Sequence, residues 1–222
     1  MQKRNLSKEK IIQSFLLSAF EKSAGATSLT DIADDLEIKK ASLYNHFEGR
    51  DAIYNATVEA CAKEISSISF LADKTFDSIK NAKTTPLPMF KRLITRFFEL
   101  YESEPLFQMY AFVHTEQYFN LDALEIVRNE QQKVTDEIRR VLSSFIDAQK
   151  IPPHSEKEIK DTASGIASII FAQRDFYIAN RKETVRQNPE SGAGSLFALP
   201  TDDDAIQQTI KIVENLLKTF IN

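Results

Sequence analysis

Apolar side chains recur every three or four residues along most of this chain, a spacing that predicts helices throughout. In the first, over 7–22, Ile11, Ile12, Phe15, Leu16, Ala19 and Phe20 mark one face, Ser7 is the expected N-cap and Gly25 the expected stop. Ser28-Leu-Thr-Asp31 then reads as a capping-box start with Asp in place of Glu. Leu29, Ile32, Ala33 and Leu36 form the stripe of a short second helix, and Glu37 sits where the chain turns. Ile38, Leu43 and Phe47 anchor a third helix, ended by Gly49. Longer helices follow at about 51–71, 88–104, 106–119, 121–150, 156–181 and 202–221. Pro105 and the IPPH run at 151–154 break the pattern. Residues 182–201 lack periodicity and are expected to form a mobile loop. The class expected is all-α.

Helix, tight turn and short helix over residues 28–47 make a helix-turn-helix layout. Ile38 and Leu43 are directed inward by the pattern, which turns Lys39, Lys40, Ser42, Asn45 and His46 outward. A helix entering a major groove needs short polar side chains to reach base edges, and donors at its rim to hold phosphates. Lys40, Ser42 and Asn45 suit the first task. Ser28, Thr30, Lys39, Tyr44, His46 and Arg50 suit the second. Thr30 lies in a first helical turn, where free N–H groups and the helix dipole also favour an anion.

The charge distribution agrees weakly with this reading. Residues 1–50 carry 8 Lys/Arg and 7 Asp/Glu, a net of +1, while residues 51–222 carry 20 and 25, a net of −5. One cysteine excludes an intramolecular disulfide and suits a reducing cytosol. Cys61 reads as a small buried hydrophobe rather than a redox sensor. The longest apolar runs, such as IASIIFA at 166–172, are too short to span a membrane, and the charged N-terminus lacks the apolar stretch of a signal peptide. A cytoplasmic protein is expected. The histidines at 46, 114 and 154 are too scattered for a metal motif, and no cofactor is expected.

The run D-I-A-x-x-L-x-I-x-x-A-x-L-Y-x-H-F-x-x-R-D, carried by Asp31, Ile32, Ala33, Leu36, Ile38, Leu43, Tyr44, His46, Phe47, Arg50 and Asp51, resembles the DNA-binding signature of the TetR family of bacterial transcriptional regulators. It covers about the first fifth of the chain. The resemblance implies a helix-turn-helix domain over 1–50 and a larger helical effector-binding and dimerisation domain over 51–222. It further implies a homodimer on a palindromic double-stranded operator, with repression relieved by a small molecule. By position, Lys40, Ala41, Ser42 and Asn45 fall where family members meet bases and nearby backbone, and Thr30, Tyr44, His46 and Arg50 where they hold phosphates. Two departures stand out. Glu37 occupies a turn that usually carries Gly, at a cost of about 1 kcal/mol if φ is positive there. Lys39 and Ala41 replace the Ser and Gly or Pro with which the reading helix often begins.

Beyond the signature, aromatic residues crowd 97–119 and 171–177. Most are expected to be core, but walls of an effector cavity need the same residue types with a few polar groups among them. Phe97, Tyr101, Phe107, Tyr110, His114, Gln117, Tyr118, Gln173, Phe176 and Tyr177 are the candidates for binding a small, largely apolar effector. Ile206, Ile210, Val213, Leu217 and Phe220 form a heptad-like seam, and Ala163, Ser164, Gly165, Ala167 and Ser168 permit close helix approach. With the resemblance, these assign dimerisation to residues 156–181 and 202–221. Asp202, Asp203 and Asp204 read as the cap of the last helix. Two other readings are a DNA-binding activator or structural factor without effector, and a helical enzyme. No nucleophile–base pairing, phosphate loop or metal spacing supports the enzyme.

Overall fold

The computed structural model describes residues 6–187 and 199–221. Among these residues lie nine α-helices, one 3-10 helix and no strand. The helices are α1 (Lys8–Lys22), α2 (Leu29–Asp35), α3 (Arg50–Ser67), α4 (Thr75–Lys80), α5 (Pro86–Leu100), α6 (Leu106–Glu116), α7 (Leu121–Asp147), α8 (Glu156–Gln187) and α9 (Asp203–Ile221). The 3-10 helix, Lys40–Asn45, stands where the apolar spacing predicts a third α-helix. The chain forms two compact units, residues 1–67 with 105–127, and residues 68–104 with 128–222.

In the first unit, α1, α3 and α6 pack on one another, and α2 packs on α1 and on the 3-10 helix. Ile11, Phe15, Leu16, Ile32, Leu43, Ile53, Cys61 and Val113 form its buried core. Phe15 of α1, Tyr54 of α3 and Phe112 of α6 meet edge-on, with ring centroids 5.9–6.3 Å apart. Such edge-to-face pairs add about 0.5–1.5 kcal/mol beyond simple burial. The Tyr54 hydroxyl donates to Glu116 Oε2 at 2.8 Å, a second tie between α3 and α6. Cys61 is wholly buried, and burial pushes its thiol up to about 12, so it stays protonated at neutral pH.

The second unit holds α4, α5, α8, α9 and most of α7. Here α9 packs on α5 and α8. This overturns one expectation from the sequence. Ile206, Ile210, Val213, Leu217 and Phe220 are all buried within the single chain, so the heptad-like seam is core rather than a surface offered to a partner. Periodicity reports that a face is covered and is silent on what covers it. Gly165 belongs to the same packing: a Cβ built on it would stand 3.3 Å from Leu216 Cδ2, so α8 and α9 approach closely there.

Two smaller differences concern boundaries. Residues 182–187 of the expected loop are the last turns of α8, while residues 188–198 lie outside the described residues. Helix α4 has no counterpart in the sequence reading, because six residues are too few to display a period. At the start of α9, Asp202 Oδ1 accepts from Ala205 N at 3.1 Å, the capping expected of that acidic run. Among the described residues no helix is long and apolar enough to cross a membrane.

Candidate nucleic-acid interface

Local chemistry builds the interface from Ser28 onward. The Ser28 hydroxyl accepts from Asp31 N at 3.3 Å, and Asp31 Oδ2 accepts from Ser28 N at 2.7 Å. This reciprocal pair is a complete capping box and fixes where α2 begins. Lys22 Nζ lies 2.6 Å from Asp31 Oδ1. That ammonium, with the Ser28 N–H and hydroxyl, holds the Asp31 carboxyl well below the usual carboxylate range. Thr30 is exposed in the first turn of the helix so started.

The turn after α2 has a defined form. Ile38 N donates to Ala33 O at 2.9 Å and Glu37 N donates to Asp34 O at 3.0 Å. These two bonds make a Schellman motif, whose second residue past the helix must be left-handed. Glu37 is that residue, with φ 55°. The position that favours Gly therefore carries Glu in a left-handed conformation, which settles the turn that the sequence left open. The motif also draws half-buried Ile38 onto the core of the unit, which aims the residues that follow.

From Lys39 the chain enters the 3-10 helix, with Ser42 N donating to Lys39 O at 2.8 Å. Three residues per turn eclipse positions i and i+3. Ala41 and Tyr44 thus share one line, and Ser42 and Asn45 another. Lys39, Lys40, Ala41, Tyr44 and Asn45 are exposed, Ser42 and His46 are half-buried, and Leu43 is buried at 1% exposure. Phe47 is buried behind them, with Lys8 Nζ 5.4 Å from its ring centroid. Sequence reading gave Lys8 no part in this region; its place in a first helical turn carries no signal of that contact.

Arg50 is used differently from the other candidates. Its Nε donates to Thr27 O at 2.7 Å and its Nη2 donates to Ala24 O. Its guanidinium carbon lies 5.8 Å from the Phe15 ring centroid. Most of this side chain is engaged in holding the loop between α1 and α2 against the start of α3. Ser28, likewise, has its hydroxyl in the capping box. Ser28, Thr30, Lys39, Lys40, Ala41, Ser42, Tyr44, Asn45, His46 and Arg50 all belong to the first unit.

The effector candidates divide between the units. In the first, Phe107 and Tyr110 are buried, Tyr110 stacks on His114 with centroids 3.9 Å apart, Gln117 is half-buried and Tyr118 is 80% exposed. In the second, Phe97, Tyr101 and Tyr177 are buried, Gln173 is half-buried and Phe176 is 67% exposed. Phe97, Tyr101 and Phe171 close on the Arg174 guanidinium, 4.4–4.9 Å from their ring centroids. Arg174 is fully buried and forms a two-pronged ion pair with Glu130, at 2.7 and 2.9 Å, while the Tyr101 hydroxyl donates to Glu130 at 2.5 Å. Burial works against the Arg174 charge, but Glu130 and Tyr101 beside it together hold its pKa above the usual arginine value. Sequence reading had no signal for this pairing, whose members stand 44 residues apart. Among the described residues no group of three His, Cys, Asp or Glu side chains is placed to hold a metal ion.

Residues 19–57 match the model of the bacterial regulatory proteins of the tetR family. The chain is 41% identical over 61 residues to the biofilm operon icaADBC HTH-type negative transcriptional regulator IcaR of Staphylococcus aureus, a match covering 28% of this chain and 33% of that protein. It thus spans about a third of the length of the curated relatives it matches. Over nearly the whole chain it resembles the solved structure of a Mesorhizobium loti protein assigned to the TetR family, with TM-score 0.61, 12% identity and coverage of 97% and 96%. It also resembles SmeT, the repressor of the Stenotrophomonas maltophilia multidrug efflux pump SmeDEF, with TM-score 0.53, 13% identity and coverage of 98% and 92%. At such identity the structural likeness speaks to the fold alone.

Proposed function

We propose that this chain, whose residues 19–57 match the tetR-family model, is a transcriptional repressor that binds a palindromic operator as a homodimer. The observation that carries the proposal is the exposure of Tyr44 and Asn45 on the 3-10 helix and of Lys40 at its start, backed by buried Leu43 and Phe47. Asn45, Lys40 and Ser42 read base edges, where Asn bonds adenine and Lys bonds guanine. Thr30, Lys39, Tyr44 and His46 hold phosphates and set the register. Arg50 acts one step back, holding the loop that leads into α2. Repression is favoured over activation by the match to IcaR, a negative transcriptional regulator by name.

Dimerisation falls to the outer face of α8. Ser168, Ala172, Phe176 and Ala179 are exposed there at helical spacing, a stripe of small side chains with one large apolar ring. The outward positions of α9, Gln207, Gln208, Lys211, Asn215 and Lys218, are polar and fit the rim of such a contact. Release by a small apolar effector is the remaining element of the proposal. In the second unit it requires rings now in contact around Arg174 to part, so effector binding there demands an opening of α5 from α8.

The test is a titration of the protein against its own upstream DNA at several salt concentrations. Tight, salt-dependent binding to one palindromic segment, two protomers per site, is expected. Equal affinity for that segment and a scrambled duplex would overturn the regulator reading.

A further inference from the structure

In the second unit a cleft of ≈ 340 Å³ is lined by Phe76, Arg139, Arg140, Ser143 and Ser144. Its wall is one stretch of α7, where residues 139 and 143, and 140 and 144, are paired four apart and therefore share a face. Phe76 of α4 forms the facing apolar surface, and the Arg140 guanidinium carbon lies 4.9 Å from its ring centroid. This stacking orients the guanidinium without engaging its N–H groups. Arg139 Nη2 is 3.4 Å from Asp136 Oδ1, and the other oxygen of Asp136 accepts from Gln132 Nε2 at 2.9 Å. Asp136 thus balances one of the two arginines, and no ion pair within the described residues balances Arg140. Thr135, on the same helix, returns its hydroxyl to the Gln131 carbonyl at 2.8 Å. Among the described residues the Ser143 and Ser144 hydroxyls make no such bond, which leaves both able to donate into the cleft.

We propose that this cleft binds the phosphate monoester of a small organic molecule. Two guanidinium groups and two hydroxyls in adjacent rows supply more donors than a carboxylate has oxygens to accept them. A phosphate presents three terminal oxygens, and Arg forks match their geometry. The volume exceeds what an oxyanion alone fills and lies at the low end of the roughly 300–1,000 Å³ of small-molecule sites. The remaining space, floored by Phe76, takes the organic part. Asp136, at the Arg139 end, disfavours a second negative charge there and sets the phosphate against Arg140 and Ser144. Nothing in this site depends on the DNA-reading residues, which lie in the other unit.

The experiment is calorimetric titration of the full chain with phenyl phosphate, inorganic phosphate and phenol. Phenyl phosphate is expected to bind one per chain, inorganic phosphate more weakly, and phenol not at all. Arg140→Gln should weaken phenyl phosphate by about tenfold or more, the worth of one charge-assisted hydrogen bond. Because Arg140 also stacks on Phe76, Ser144→Asp serves as the second variant: it keeps both arginines, places a carboxylate in the cleft, and should abolish binding. Lys91→Gln, an exposed cation of α5, should change nothing. Phenyl phosphate that fails to bind, that binds no better than inorganic phosphate, or that binds Ser144→Asp as well as the unaltered chain would overturn the proposal.

Discussion

Arg50 Nε donates to the carbonyl oxygen of Thr27 at 2.7 Å, joining the first turn of α3 to the loop that feeds α2. The same guanidinium also bonds the Ala24 carbonyl. One cationic fork thereby ties the start of α3 to the loop between α1 and α2. Lysine's ammonium lacks the planar fork whose separate N–H groups meet the two carbonyls at once. Hydrogen bonds to a charged group contribute about 1.5–3 kcal/mol each, less where solvent reaches them, and Arg50 is about one-third exposed. Arg50→Lys is expected to destabilise the chain by roughly 2 kcal/mol in urea unfolding, and to weaken all DNA sequences alike. Unchanged stability with weaker DNA binding would instead make Arg50 a direct phosphate ligand.

Glu37 holds a left-handed conformation in a motif built for glycine. A non-glycine residue there costs about 1–2 kcal/mol, and glycine returns about 0.4–1 kcal/mol of that through the greater freedom of its unfolded chain. Glu37→Gly is therefore expected to stabilise the protein by roughly 0.5–1 kcal/mol, read as a higher urea midpoint at constant slope.

The buried Glu130–Arg174 pair gives a sharper signature. Removing either partner leaves the other charge buried and uncompensated, at about 3–5 kcal/mol. Glu130→Leu and Arg174→Met are each expected to destabilise by that much. Combined with Tyr101→Phe, which removes the hydroxyl that would lose its acceptor, the triple variant should be more stable than either single one. Additive losses in a mutant cycle would show that the pair is not coupled as its geometry implies.

Two substitutions on adjacent helices separate core from interface. Leu217 is fully buried inside the chain, so Leu217→Glu should unfold the second unit, as far-ultraviolet circular dichroism would report. Phe176 is 67% exposed, and Phe176→Glu should leave helicity intact while shifting sedimentation from dimer to monomer. A well-folded Leu217→Glu monomer would restore the seam of α9 as the interface.

Much of the first unit was legible because short-range chemistry dictates it. Ser28 and Asp31 announce the capping box by identity and spacing alone, and Glu37 had to be the turn because the periods on either side do not join. Between Lys40 and Asn45 the sequence shows a helical segment but not its winding, since six residues cannot distinguish three per turn from 3.6. The role of Arg50 was hidden for another reason: a donor near DNA and a donor to carbonyls have the same sequence signature. In the second unit, periodicity found α9 yet could not say that α5 and α8 cover Leu217. The burial of Arg174 was not legible, because the Glu130 that compensates its charge stands 44 residues away in the chain.

Residues 40–45 are proposed to read DNA sequence. This is tested most directly by selecting binding sites from random duplex DNA with the unaltered protein and with Asn45→Ala. A two-fold symmetric site is expected for the unaltered protein. Asn45→Ala is expected to keep the site's spacing and overall salt dependence but to lose preference at one position in each half, by about 1–3 kcal/mol. Identical selected sites and affinities for both proteins would contradict it.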